Sequence, residues 1–323
     1  MTNDARNETH AHYDVAIVGG GPAGLSAAIW SARYLHSVVV IDSGDPRNWE
    51  THSVNGYLGL EGIRPPELRE RGRETCRTLG VELIDTVAIR VDKRDDERFE
   101  VCLEGGGKIT SRRLLLAIGV RDVWPRIPGL ENAYGANAHV CPDCDGYDTK
   151  DKKVVVIGIG RRAVGMALNL TTWTREIIIC TNGVEPDFDD AEYAEKLDAL
   201  NIPVLVQSIE RVCCEEGRIA CLLLEDGMQL DCDKVFFTIG QYPADDLGVQ
   251  IGCDRDDEGH IIVDAHGRTS VQHVYAAGDL APGPQLAIKA AAEGATAALA
   301  MHKSLVPEER KLTPVAPLPT SSL

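Results

Sequence analysis

YDVAIVGGGPAGLSAAIWSARYLHSVVVIDSG, residues 13–44, decides the fold. An apolar strand, a glycine-rich turn, a helix with apolar periodicity and a second buried strand follow in that order. The order is that of a βαβ unit with parallel strands. Gly19, Gly21 and Gly24 make G-x-G-x-x-G between strand and helix. Gly19 allows the tight turn, Gly21 lets a pyrophosphate approach the backbone, and Gly24 lets helix and strand pack closely. Pro22 and Ala23 complete the turn, and the helix N-terminus presents free N–H groups and its dipole to phosphate. Asp42 ends the second strand, where an acid can accept from a ribose hydroxyl. All these features agree on a dinucleotide site.

The same order returns in KKVVVIGIGRRAVGMALNLTTWTREIIICTNG, residues 152–183. The expected class is therefore α/β, with two Rossmann-like βαβ domains of nucleotide-binding type. Here Gly158, Gly160 and Ala163 give G-x-G-x-x-A. The residue that distinguishes NAD from NADP belongs just after the second strand, an acid for the first and a basic cluster for the second. This chain reads Cys180-Thr181-Asn182-Gly183, which supplies neither. Arg161 and Arg162 would assist phosphate binding by charge, yet their bulk would fill the pyrophosphate's space; a surface structural role also stands. Binding of NADPH or NADH is not the expectation.

Outside the two units the pattern is coarser. A helix is expected over 65–79 and hairpin-like strands over 81–103. LLLAIG, residues 114–119, reads as a short buried strand ending in a turn at Gly119, a further cofactor-facing candidate. Pro125 and Pro128 mark a crossover. KVFFTIG, residues 234–240, closes the second unit. The last block, VYAAGDLAPGPQLAIKAAAEGATAALAMHKSL, is a strand, a Gly-Pro loop and an Ala-rich helix. Asp279 lies between its strand and helix, where it would bind a polyol such as a flavin's ribityl chain or serve as a helix cap.

CPDCDGYD places Cys141 and Cys144 three positions apart, a spacing that cycles between dithiol and disulfide with little backbone movement. Zinc would need two further ligands at suitable spacing, and the sequence has no second C-x-x-C or H-x-x-x-H. Adjacent Cys213 and Cys214 would point to opposite sides of a strand. Of the 10 cysteines, Cys180, Cys221 and Cys232 lie in or beside apolar runs and read as core residues.

The 323 residues suffice for two domains. A net charge of −17, from 50 acidic and 33 basic residues, argues against nucleic acid as a partner. It fits plain solubility, attraction of a basic partner or a salty interior. No apolar run reaches the ~20 residues that span a bilayer, and MTNDARNETHAH lacks the order of a signal peptide. The expected setting is cytoplasmic.

GGGPAGLSAA, the Cys-x-x-Cys-Asp-Gly segment and AAGD…QL…AAAEG together resemble the low-molecular-weight thioredoxin reductases, nearly end to end from Tyr13 to the last helix. The Pro/Ser-rich end and the polar start read as disordered tails at 313–323 and 1–12; the resemblance implies FAD, a discontinuous FAD domain (13–122 and 245–312) with the second unit (123–244) inserted, and a homodimer. It implies that Asp279 holds the ribitol and that Gln285 and Leu286 border the isoalloxazine. It also implies that Cys144 lies against the flavin, Cys141 attacks the substrate disulfide, and Asp145 protonates the departing thiolate. RNWETHSVNGYLGLEG, residues 47–62, departs from the reductases and is closer to dithiol oxidases of the same superfamily, with Asn55 as a flavin neighbour. Asp145 stands where those oxidases often have His.

The leading expectation is reduction of a protein disulfide such as thioredoxin. The absent nucleotide signature resembles ferredoxin-dependent flavin thioredoxin reductases, so a ferredoxin-type donor joins the expected partners. A dithiol oxidase passing electrons to oxygen and a non-catalytic flavin-binding redox sensor are the alternatives.

Overall fold

The computed structural model describes residues 11–48, 51–186, 191–238 and 240–312. The opening unit folds as read: β1 (Ala11–Val18), α1 (Pro22–Arg33) and β2 (Val38–Asp42), with β1 and β2 parallel. Tyr13 is not the first ordered residue. Ala11 and His12, expected in a loose tail, pair with Ile109 and Thr110 and extend β1. Residues 1–10 and 313–323 of the expected tails lie outside the described residues.

Helix α2 (Pro65–Thr78) follows, then β3 (Glu82–Asp85), β4 (Ala88–Lys93), β5 (Phe99–Leu103) and β6 (Lys108–Leu116). The apolar run at 114–116 is thus the end of a longer strand. The polar first half of β6 hides from a hydrophobicity reading because it pairs antiparallel with β5, while Leu114–Leu116 are wholly buried.

The second unit begins across the crossover strand β7 (Val120–Val123) and the two-residue β8 (Ala138–His139). It continues through α3 (Pro142–Asp145), β9 (Val154–Ile157), α4 (Gly160–Leu170), β10 (Ile177–Cys180), α5 (Ala191–Ala199) and β11 (Val204–Leu205). A meander of β12 (Ile209–Glu215), β13 (Arg218–Leu224) and β14 (Gln229–Asp231) precedes β15 (Lys234–Phe237). Strand β16 (Gly240–Pro243) pairs antiparallel with β7, so the chain leaves and returns through one two-stranded ribbon. Helix α6 (Leu247–Gln250), β17 (Val274–Ala276) and α7 (Ala287–Leu305) follow, with one short helical turn at Glu308–Arg310 after them.

Two sheets organise the molecule. One is mixed and runs β3-β2-β1-β6-β5-β4, parallel as far as β6 and antiparallel beyond it, and the second half of β6 takes β17 on its far side, Val274 facing Leu114. Strands that precede β7 and one that follows β16 therefore build this sheet. The other sheet runs β11-β10-β9-β15-β8, all parallel. Val154–Ile157 and Val235–Phe237 are buried on both faces, the pattern of strands covered by layers on either side. Among the described residues no helix is long and apolar enough to cross a membrane.

Helices α1 and α7 meet at backbone distance. A Cβ placed on Gly294 would lie 1.9 Å from the Ala23 carbonyl oxygen, so only glycine fits there. One residue earlier, Glu293 accepts from the Gly278 N–H at 3.0 Å. These two contacts give the AAGD and AAAEG segments a physical reason: each fixes the other's backbone beside the first glycine turn.

Candidate redox site

A cleft of about 1020 Å³ opens along the carboxyl ends of β1, β2 and β6 and reaches the Cys-x-x-Cys segment. Ligand sites on open α/β sheets are expected at this edge. Its wall includes Gly19, Gly21, Pro22, Ala23, Asp42, Asn55, Gly119, Gly278, Asp279, Gln285 and Leu286, together with Cys141, Cys144 and Asp145. Gly24 alone of the expected residues is not on the wall. It lies beneath, where a Cβ would stand 1.9 Å from the Gly19 carbonyl oxygen, which is the packing role read from the sequence.

The glycine turn leaves room for a ligand. Gly19 has φ +106°, and a Cβ there would meet the Ala117 oxygen at 2.2 Å. At Gly21 a Cβ would meet nothing within 4 Å. Gly21 is also the N-cap of α1, in extended conformation, without a side-chain cap, and Pro22 follows. The helix N-terminus thus faces open space at the point where an anion is favoured. This cradle fits the pyrophosphate of a dinucleotide.

At one end of the cleft Asp42 is held by three partners. Arg69 Nη2 donates in a short contact, Arg73 Nη1 donates at 3.4 Å, and the Gly44 N–H donates at 3.2 Å. Arg73 also donates to both oxygens of Asp85, at 2.8 and 3.0 Å. Sequence reading missed both arginines. Their i, i+4 spacing on α2 placed them on one face, but nothing in the sequence pointed that face at Asp42.

Midway along the cleft, Arg47 makes a second cluster. Its Nε donates to both oxygens of Asp122 at 3.0 and 2.8 Å, and its Nη1 to Asp279 at 3.1 Å and Gln285 at 2.7 Å. Burial opposes the charge, but Asp122 and then Asp279 hold the guanidinium above its ordinary pKa. Gln241 on β16 joins Asp122 at 3.2 Å and Gln285 at 3.0 Å. Asp279 is not a helix cap: α7 starts at Ala287, capped at Leu286. The late block therefore brings its helix N-terminus to the cleft several residues after Asp279, not directly behind it. Arg47 comes from the segment that departs from the reductases, of which Trp49 and Glu50 lie outside the described residues.

Cys141 and Cys144 form a disulfide at the other end. Cys141 is the N-cap of α3, its Sγ accepting from the Cys144 N–H at 3.1 Å. Asn55 Nδ2 donates to the Cys144 carbonyl at 3.0 Å, so the Asn55 segment holds this turn against the cleft. Gly146 is demanded by Trp173, whose ring would lie 2.4 Å from a Cβ there. Asp145 places a carboxylate oxygen 3.4 Å from His139 Nδ1, with both side chains largely buried. His139, like Arg47, escaped the sequence reading.

The second glycine turn is built differently. The cleft's wall includes none of residues 158–162 or 180–183. Asn182 Oδ1 accepts the Ile209 N–H at 2.8 Å, Thr181 is buried, and a Cβ on Gly183 would meet Ser208 Oγ at 2.4 Å. The stretch where a ribose-selecting side chain belongs is taken up with holding the start of β12. Arg161 and Arg162 are exposed, and Arg162 lies 3.8 Å from Glu258.

Asp245, also on the cleft wall, was not anticipated. Burial raises its pKa to about 6, against a donated Leu247 N–H at 2.8 Å. A carboxyl whose folded pKa exceeds its unfolded one keeps its proton longer in the folded state. It therefore lowers stability as pH rises from about 4 to about 6, and the loss is complete above that. Asp245→Asn keeps the acceptor for Leu247 and is expected to gain about 2 kcal/mol at pH 7.5 and nothing below pH 4. Urea denaturation at the two pH values checks this.

Two βαβ units, a glycine cradle and a disulfide on the same cleft are the make-up of a disulfide oxidoreductase. The pyridine nucleotide-disulphide oxidoreductase family matches residues 13–294, and the chain belongs to it. It is 31% identical over 282 residues to thioredoxin reductase tcpT of Claviceps purpurea, covering 82% of this chain and 86% of that one. It is 28% identical over 312 residues to an alkyl hydroperoxide reductase component of Pseudomonas aeruginosa, covering 91% of this chain and 58% of that one. A Bacillus anthracis structure assigned as the thioredoxin reductase TrxB superposes with a TM-score of 0.85 at 28% identity, covering 92% of this chain and all of that one. The chain is an enzyme of the thioredoxin reductase type.

Proposed function

We propose that the protein is an FAD-dependent thiol–disulfide oxidoreductase that reduces a protein disulfide of the thioredoxin kind through Cys141 and Cys144, with a donor other than NADPH. The observation that carries this is one cleft holding the Gly19–Gly24 turn at one side and the Cys141–Cys144 disulfide at the other. FAD bound there would supply electron pairs to the disulfide. Gly21 and the N-terminus of α1 would hold its pyrophosphate, Asp42 its adenosine ribose, and Asp279, Gln285 and Leu286 its flavin end. In this reading the FAD domain comprises 13–122 and 245–312, with 123–244 inserted, and the enzyme works as a cytoplasmic homodimer.

The protein's own chemistry then balances simply. Two electrons and two protons open the Cys141–Cys144 bond to a dithiol. The Cys141 thiolate attacks the partner disulfide and displaces one partner thiolate. The Cys144 thiolate attacks Cys141 Sγ, re-forms the internal disulfide and displaces the second. Asp145 gives a proton to a departing thiolate and regains one from solvent.

Support for a different donor comes from Asn182 and Thr181, which are engaged within the fold. A ferredoxin-type protein is the donor class in this reading. Anaerobic titration is the test: NADPH or NADH at micromolar level should leave the flavin yellow, and rapid bleaching would overturn the donor reading. Dithionite-reduced enzyme should transfer thiols to oxidised thioredoxin. Oxygen consumption driven by small dithiols, without such transfer, would establish the oxidase instead.

Asp143 sets a charge between the cysteines, exposed and hydrogen-bonded by Asn169 at 3.1 Å. A charge there opposes thiolate formation and makes the couple more reducing. Asp143→Ala is expected to raise the dithiol potential by about 10–20 mV, the scale of an exposed charge pair. Equilibration against a glutathione buffer measures it.

A further inference from the structure

Behind Asp145 lies a line of buried polar groups that the reaction above does not use. His139 is 5% exposed and Lys234 8%. Lys234 Nζ lies 3.4 Å from His139 Nε2, and His139 Nδ1 lies 3.4 Å from Asp145 Oδ2. Neighbouring strands place them: β8 carries His139 beside Phe236 of β15, and Lys234 sits on the same strand as Phe236. An ammonium has no acceptor. With Lys234 charged, Nε2 must accept, so Nδ1 carries the imidazole proton and turns it toward Asp145.

We propose that His139 is a positioning residue for disulfide exchange: it shares a proton with Asp145 and reloads that carboxyl from the Lys234 side. The proposal rests on reading Asp145 as the acid of the reaction. In the balanced step, the partner thiolate leaves with the Asp145 proton, the His139 Nδ1 proton passes to Asp145, and Nε2 takes a proton from Lys234. The ammonium regains its proton from water beside Asp148, whose carboxylate lies 4.0 Å away and is 61% exposed. No other reactant is needed.

The groups facing this line are few. Asp145 and Asp148 come from the Cys-x-x-Cys side, Lys234 from β15, and Tyr134 lies near enough to Asp145 to be influenced by it. Burial pulls the Lys234 ammonium below its ordinary pKa, against Asp148 and Asp145, while Arg218 and Lys152 add to the lowering. An ammonium weakened in this way gives up its proton more readily. Without the imidazole, Asp145 must regain its proton from water, so its reloading slows as protons become scarce toward high pH. Without the Lys234 ammonium, the imidazole has no proton source on its buried side.

The test uses full-length protein reduced with a phosphine, freed of it anaerobically, and corrected by the Cys141→Ser variant for the other thiols. Thiol release is measured from pH 5.5 to 9 with two oxidants. Hydroxyethyl disulfide leaves as an alkyl thiolate that needs a proton, whereas an aromatic nitrobenzoate disulfide leaves as a stable thiolate that does not. His139→Asn keeps a donor toward Asp145 but cannot pass a proton. It is expected to slow the alkyl reaction about tenfold at pH 7.5, to recover toward pH 5.5, and to change the aromatic reaction less than about twofold. Lys234→Met is expected to slow the alkyl reaction in the same way at pH 7.5, since the relay loses its proton source, and to leave the aromatic reaction within about twofold. Equal slowing of both oxidants at every pH, or no change in either variant, would overturn the proposal. Asp145→Asn separates the levels: if it slows the alkyl reaction and His139→Asn does not, the relay fails alone. If Asp145→Asn has no effect, the acid reading falls and the relay with it.

Discussion

Gly294→Ala should destabilise the protein by about 3 kcal/mol or more and weaken its hold on the proposed FAD. In an isolated helix the same change is favourable by up to ~1 kcal/mol. Here the new methyl would stand 1.9 Å from the Ala23 carbonyl oxygen, a backbone atom that moves only if α1 or α7 moves. Overpacking of this kind costs about 1–3 kcal/mol when side chains can adjust, and more when backbone must. Ala23 also lines the cleft beside Gly21, so the displacement reaches the cradle. Gly165→Ala is the internal control. It lies in α4, exposed, and its Cβ would meet nothing within 4 Å. That variant is expected to be neutral or more stable by ~0.5–1 kcal/mol. Denaturant midpoints and the flavin-to-protein absorbance ratio of both variants decide the matter. Equal effects would mean that α1 and α7 do not cross at backbone distance.

Cys141→Ser should lower disulfide reduction by at least ~10³-fold, since in the proposed roles no mixed disulfide can then form. Cys144→Ser is expected to behave differently, although turnover is lost to a similar extent. Cys141 can still attack the partner, but nothing displaces the product. A stable covalent complex with the partner accumulates and is seen by mass spectrometry without reductant. If Cys144→Ser failed to trap the partner and Cys141→Ser did, the roles of the two sulfurs would be exchanged.

What the sequence revealed was local. The Gly19–Gly24 turn, Asp42, the Cys-x-x-Cys pair and Asp279 each carry their meaning within a few neighbours, and all but Gly24 line the cleft. The residues that escaped are those whose meaning depends on a remote partner. Arg47 meets Asp122, Asp279 and Gln285; Arg69 and Arg73 reach Asp42; His139 joins Asp145 to Lys234. An arginine in a loop or on a helix surface reads as solvated until the fold supplies its acid. The polar half of β6 was missed for a related reason, because its burial comes from β5 and from the extended start of β1. The Cys180–Gly183 stretch was read by the recognition groups it lacks. The fold adds a positive reason, since Asn182 is engaged with Ile209.

The long edge of β6 carries a consequence for how the chain is made. Its first half is paired by β5 as soon as that hairpin emerges, but Leu114–Leu116 have no partner on that side until Val274–Ala276 arrive. On a ribosome residues 117–273, which carry the whole second sheet, are synthesised in between and can close that sheet first. Throughout that interval an apolar strand edge with free N–H and C=O groups is open to any other extended chain. Nascent chains arrested just before Val274 should therefore aggregate, while chains released after α7 should not. Strand β17 is, in that sense, the lock on a sheet begun at residue 11.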